Sequence, residues 1–168
     1  MQLHEIDKGL YQKRFKQVAF GLSISLALLA LLFSTLLIAL FGDGNTTNTG
    51  LNATGVLLAL ALLLMILHKL KVRPYFTEVV YVWDLKQELN KISRRINKVK
   101  AAAEQGDKQA MIILNFSYQG SKQLWQLDDN TLVMEELALW QAELEALQSR
   151  FNIELSVDDY QPELLENF

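Results

Sequence analysis

Three pairs of carboxylates stand close enough along the chain to be weighed for acid–base work: Asp84 with Glu88, Asp128 with Asp129, and Asp158 with Asp159. Such chemistry needs two groups that converge on one reacting atom while their environments push their pKa values apart. Neighbouring residues on a helix point in different directions, so neither adjacent pair is built for that task. Asp128-Asp129-Asn130-Thr131 reads as a turn and cap, and Asp84 with Glu88 as a solvated helix face. His4 and His68 flank apolar sequence and form no metal-ligand pattern on a shared face. The absence of cysteine removes disulfides, thiolate metal sites and cysteine nucleophiles. No Gly-rich phosphate loop or Ser-His-Asp set is present. The expectation is a protein that is not an enzyme, with no cofactor, no metal and no small-molecule substrate identified.

What remains is recognition chemistry. Tyr118, Trp125 and Trp140 are the candidate partner contacts, because large amphipathic rings dominate binding surfaces. The elements that carry them are amphipathic helices. Val82, Leu85, Leu89, Ile92, Ile96, Val99 and Ala103 step alternately by three and four, the spacing of an apolar helical stripe. Gly106 suits a helix stop and Asp107 a cap for the next helix. That helix carries Ala110, Ile113, Ser117, Gly120, Leu124 and Leu127, widened by Met111, Leu114, Tyr118 and Trp125. A third carries Val133, Leu137, Trp140, Leu144, Leu147 and Phe151. Short turns between such helices predict antiparallel packing, and no period-2 run argues for a sheet.

Charge is divided among these helices. Lys86, Lys91, Arg94, Arg95, Lys98 and Lys100 outnumber Asp84 and Glu88 in the first, whereas Glu135, Glu136, Glu143 and Glu145 dominate the third. The basic helix lacks the aromatic or glycine interleaving of a base-stacking surface, and the net charge is only −3, so no nucleic acid is expected. The acidic tail reads as an unstructured end, with Leu164, Leu165 and Phe168 as a short docking segment in the alternative.

Upstream, no charge occurs from Gln17 to Gly42 or from Gly44 to Leu67, and both stretches are leucine-rich. Each is long enough to cross the ~30 Å hydrocarbon layer of a bilayer as a helix. The first is longer than the apolar region of a cleaved leader and no convincing cleavage site follows, so it reads as an uncleaved anchor. Lys8, Lys13, Arg14 and Lys16 precede the first stretch, and Lys69, Lys71 and Arg73 follow the second. The loop between them has no lysine or arginine, which predicts both termini in the cytoplasm. Asn45-Thr46-Thr47 and Asn52-Ala53-Thr54 match a glycosylation pattern too short to carry weight. Beyond the second stretch, Lys69, Lys71, Arg73, Tyr75, Phe76 and Trp83 are candidate membrane-interface anchors. Pro74 suits the first turn of the helix that follows.

The fold class expected is therefore all-α: a two-helix transmembrane hairpin followed by a cytoplasmic antiparallel bundle of about three helices. The segments are a cytoplasmic N-terminal segment (1–17), spans at 18–41 and 51–68 around a periplasmic loop (42–50), a cytoplasmic helical domain (69–151) and an acidic tail (152–168). The expected partners are membrane lipids and either a second copy of the chain or another membrane protein.

Four stretches carry a resemblance: EIDKGLYQKRFKQV, STLLIALFG, YFTEVVYVWDLKQELNKI and KVKAAAEQGDKQAMIILNFSYQGSKQLWQLDDNTL. Together they resemble a family of small two-span gammaproteobacterial inner-membrane proteins defined only as a domain of unknown function. The resemblance extends to about Arg150 and implies a multi-pass protein of the bacterial inner (cytoplasmic) membrane. It implies no activity and no site residues. Residues 101–120 also resemble one unit of a Sel1-like repeat, through Ala103, Gly106, Asp107, Ala110, Leu114, Tyr118 and Gly120. No second copy follows, and a lone repeat cannot bury its own face. The segment therefore reads as a turn between two helices.

Overall fold

Leucine-rich sequence without proline or charge sustains a long helix, because straight-chain and γ-branched side chains lose little rotamer freedom in it. In the computed structural model, which describes residues 1–42, 44, 47–130 and 132–168, helix α1 runs over Lys8–Phe41 and α2 over Thr49–Leu70. Helix α1 has 34 residues and α2 has 22. At ~1.5 Å per residue these are ~51 and ~33 Å long, against a ~30 Å hydrocarbon layer. Both are long and apolar enough to cross a membrane. Asn45 and Thr46 of the first glycosylation match lie outside the described residues. The remaining helices are α3 (Thr77–Ser93), α4 (Ile96–Glu104), α5 (Lys108–Leu127) and α6 (Met134–Phe151), with 3₁₀ turns at Pro74–Phe76, Val157–Asp159 and Pro162–Asn167. No strand occurs among the described residues, and the protein is all-helical.

The chain divides into two units, Gly9–Val80 and Met1–Lys8 with Tyr81–Phe168. In the first, α1 and α2 meet where side chains are smallest. Gly55 and Ala59 are buried, and a Cβ on Gly55 would lie 2.6 Å from the Ser34 backbone nitrogen. Only glycine allows that approach. Gly21 has open space around it instead. After α2, Arg73 is extended (φ −81, ψ 141) and Pro74 opens the 3₁₀ turn, as the restriction on a residue before proline requires.

In the second unit α5 is the central element. Ala110, Met111, Ile112, Ile113, Leu114 and Phe116 are all buried, so this helix is covered on every side rather than along one stripe. Asp107 caps it, accepting bonds from the Gln109 and Ala110 N–H groups at 2.7 and 3.1 Å, a cap worth ~1 kcal/mol. Gly106 reverses the chain with φ +91. Gly120 lets Leu85 and Leu89 of α3 approach, an added Cβ lying 3.1 and 3.2 Å from their methyl groups.

Two features differ from the sequence expectation. The stripe from Val82 to Ala103 is carried by two helices, because the chain breaks at Arg94 and Arg95, where the Arg95 N–H bonds Ile92 in a tighter turn. Among the described residues the unit therefore holds four α-helices rather than about three. The tail is folded, not loose. A capping box at Ser156 and Asp159 turns it, and Tyr160 and Leu165 are buried in the core. Alternating acids with buried apolar residues gives a low mean hydropathy but still supplies anchors.

Candidate functional site

The three aromatic residues singled out in the sequence come together. Tyr118 and Trp125 lie on α5 and Trp140 on α6, and all three line one groove of about 500 Å³. Lys86, Asn90 and Lys100 contribute its polar edge. The Tyr118 and Trp140 rings are tilted at 32° with centroids 5.9 Å apart. The Lys100 ammonium sits 5.1 Å over the Trp140 ring, close enough for attraction to the ring face. A smaller recess of about 290 Å³, bounded by Glu104, Glu143 and Leu147, shares Lys100, Tyr118 and Trp140.

Tyr118 is the buried member of the set. Burial, with the negative charge of Glu143 adding to it, pushes its hydroxyl up to about 12. It therefore stays protonated at neutral pH, fit to donate a hydrogen bond and unfit to act as a base. Its hydroxyl has no hydrogen-bond partner among the described residues, and no fully buried polar side-chain atom there is left unsatisfied, so the oxygen keeps some accessible surface. The groove thus combines apolar faces with two lysines, Lys86 and Lys100, and the hydroxyl-bearing residues Ser93, Ser117, Ser121 and Tyr118.

Glu88, Asp128, Asp129 and Asp159 are engaged structurally, while Asp84 and Asp158 are exposed. Glu88 departs from the sequence reading: it is buried at 5% exposure, not solvated. Tyr160 donates to its Oε1 at 2.6 Å and Lys91 to its Oε2 at 2.9 Å. Burial raises the Tyr160 hydroxyl, and the hydrogen bond to Glu88 and the charges of Glu88 and Glu163 raise it further. Asp128 follows α5 and pairs with Lys86 at 2.9 Å, while Asp129 pairs with Lys8. Asp159 accepts from the Ser156 N–H. Thr131 of the proposed turn lies outside the described residues. Among the described residues no cluster of three histidine, aspartate or glutamate side chains could hold a metal.

The sequence points to the N-terminal segment only through its charges and the family resemblance, yet it also closes a ring of hydrogen bonds. The His4 N–H donates to the Tyr81 hydroxyl at 2.9 Å, Tyr81 donates to Gln123 Oε1 at 2.9 Å, and the Gln123 amide donates back to the His4 carbonyl. Burial raises the Tyr81 hydroxyl, against the lowering effect of its bonds with His4 and Gln123. Nothing in local spacing signals a contact between residues this far apart.

The candidate interface anchors separate into two groups. Arg73 precedes the Pro74 turn, and Tyr75 and Phe76 lie within it. Tyr75 donates to Gln17 Oε1 at 2.7 Å, the Arg14 guanidinium lies 5.2 Å over the Tyr75 ring, and Arg14 also pairs with Glu78. Lys69 and Lys71 end α2. Trp83 belongs to the other unit, on α3, and is 63% exposed.

These features define an all-helical protein with two long apolar helices and a helical unit bearing an aromatic, basic-edged groove. The chain belongs to the family described as "Protein of unknown function (DUF3087)", matched over residues 1–165. The match includes most of the tail, beyond the limit near Arg150 of the resemblance read in the sequence. No curated protein and no solved structure gives a match.

Proposed function

We propose that this protein is an inner-membrane-anchored helical interaction or scaffold protein, with α1 and α2 forming a transmembrane hairpin and both termini in the cytoplasm. The observation that carries the reading is the exposure of the two apolar helices. Leu31, Leu32, Leu36 and Leu40 of α1 and Leu57, Leu64 and Met65 of α2 are all more than half exposed. A core helix of a soluble protein would bury these side chains, whereas hydrocarbon solvates them. Lysines and arginines lie at the Lys8 end of α1 and after α2, the distribution of cytoplasmic flanks. The groove of Tyr118, Trp125 and Trp140 then faces the cytoplasm as the surface for a protein partner.

Two measurements test this. Because the chain has no cysteine, single cysteines at Asn48 and Ser149 report topology cleanly. In intact cells an impermeant maleimide should label the first and spare the second. Gentle solubilisation and affinity purification should then recover a stoichiometric partner or a second copy, lost in Trp140→Ala. A monomeric mass with no partner in the unaltered chain sinks the scaffold reading.

A second reading is an accessory subunit of a transport or envelope-biogenesis complex acting through its spans. What favours it is an apolar cleft of about 540 Å³ between α1 and α2, open along the helices.

A further inference from the structure

Helix α1 is tied at two places, once to α2 and once to the segment that follows α2. One is the Ser34–Gly55 contact. The other is the knot formed by the Gln17–Tyr75 hydrogen bond and the Arg14–Glu78 ion pair. Between these lies the apolar cleft, running on α1 from Gln17 to Leu29 and on α2 from Leu63 to Leu70, with Tyr75 and Phe76 at one end. Gly21 and Ser25 supply its smallest walls. If the helices span a bilayer, as proposed above and as this inference requires, the cleft is filled by something apolar.

We propose that its occupant is an anionic phospholipid, with one acyl chain in the cleft and its phosphate among the cations at the Gln17 end. Two observations select this occupant. A helix is ~10 Å across, and over the ~18 Å between Gln17 and Leu29 it would displace ~1,400 Å³. The cleft offers about 540 Å³, so a second span could only lie across its mouth, whereas an unbranched acyl chain fits within it. The second observation is charge. Lys16 adjoins Gln17, Lys69 and Lys71 flank Leu70, and Arg73 precedes the Tyr75 turn. These four are exposed and make no ion pair among the described residues. An acyl chain gains nothing by leaving hydrocarbon for an equally apolar cleft. Selectivity therefore comes from the headgroup, with a factor of roughly five for each lysine near the phosphate.

Native mass spectrometry of the full chain tests this, after exchange into phosphatidylglycerol and phosphatidylcholine of identical acyl chains. The unaltered protein should retain phosphatidylglycerol preferentially. Gly21→Phe, whose ring has open space to enter, should lose bound lipid of both kinds. Lys69→Gln with Lys71→Gln should keep a lipid while the preference falls by roughly 25-fold. Glycerol phosphate in excess should not displace the lipid, because it lacks the chain. Retention unchanged in Gly21→Phe, no retention by the unaltered protein, or a dimer mass in place of lipid each overturns the proposal. Alkaline carbonate extraction separates this failure from that of the membrane reading. A chain released from membranes refutes the spans; a chain that stays but retains no lipid refutes only the cleft's occupant.

Discussion

The bond between Tyr160 and Glu88 joins the tail to α3 across 72 residues of sequence, and its removal should loosen the whole Tyr81–Phe168 unit. Tyr160→Phe keeps the ring, which stacks on Phe116 at 3.9 Å and 13°, and deletes only the hydroxyl. Glu88 Oε1 then loses its donor at a site 5% exposed. A hydrogen bond to a charged group contributes ~1.5–3 kcal/mol, and a stranded buried acceptor is costly. At ~4–8 °C per kcal/mol for a unit of this size, a loss of ~2 kcal/mol lowers Tm by roughly 8–16 °C. The assay is intrinsic fluorescence of the full chain in mild detergent. Trp83, Trp125 and Trp140 are its three tryptophans, so the signal reports this unit and not the apolar helices. The same change in a Glu88→Leu background should have little effect, since no buried carboxylate remains to be stranded. A Tm drop below ~2 °C in the first background, or equal drops in both, refutes the reasoning.

Three other outcomes follow from the geometry. Tyr118, at about 12, and Tyr160, raised in the same direction, bind their protons more tightly folded than unfolded. Their contribution is whole below the unfolded value of about 10 and is lost as pH rises from there through the folded values; denaturation at pH 9 and 11 should show the fall, and Tyr118→Phe should flatten it. Gly106→Ala should cost about 1–2 kcal/mol in backbone strain at φ +91 and also displace the Phe151 ring, which an added Cβ would meet at 2.8 Å; the same fluorescence melt measures it. Gly55→Leu meets Ser34 backbone atoms, which cannot rotate away, so spin labels on α1 and α2 should report a wider separation with no change in the tryptophan-monitored melt.

The parts of this fold legible in sequence are those set by local spacing. The Gly106-Asp107 turn and the Pro74 start depend on residues within a few positions of one another and are found where spacing puts them, while the Val82–Ala103 stripe keeps its apolar positions across a break between two helices. Coverage of α5 is different. Met111, Ile112, Ile113, Leu114 and Phe116 form a run without a polar face, which signals burial on all sides. Periodicity cannot say what covers the second side. Here Tyr160 and Leu165 do so, carried in a tail whose acids disguise them. Glu88 was misread for the same reason. A charge in a helical stripe is normally solvated, and its two partners include a tyrosine no local pattern links to it. The aromatic groove was legible as a set of residues but not as a place, because Trp140 meets Tyr118 only once α6 has packed on α5.

The distribution of engaged and unengaged groups constrains function more than any motif. Inside the Tyr81–Phe168 unit the buried carboxylate has both oxygens bound, and Tyr81 sits in a closed ring of hydrogen bonds. Tyr118 and Trp140, with the Lys100 ammonium over the Trp140 ring, line the groove, while Lys16, Lys69, Lys71 and Arg73 stand within two positions in sequence of residues that line the cleft. The two sets belong to different units. The scaffold and accessory-subunit readings therefore part on one comparison. Exchanging α1 and α2 for an unrelated pair of spans removes the cleft and keeps the groove. Trp140→Ala with Lys100→Ala does the reverse. If partner recovery survives the first change and not the second, the apolar helices only anchor. The opposite result assigns the partner to the spans and leaves the groove without a role in it.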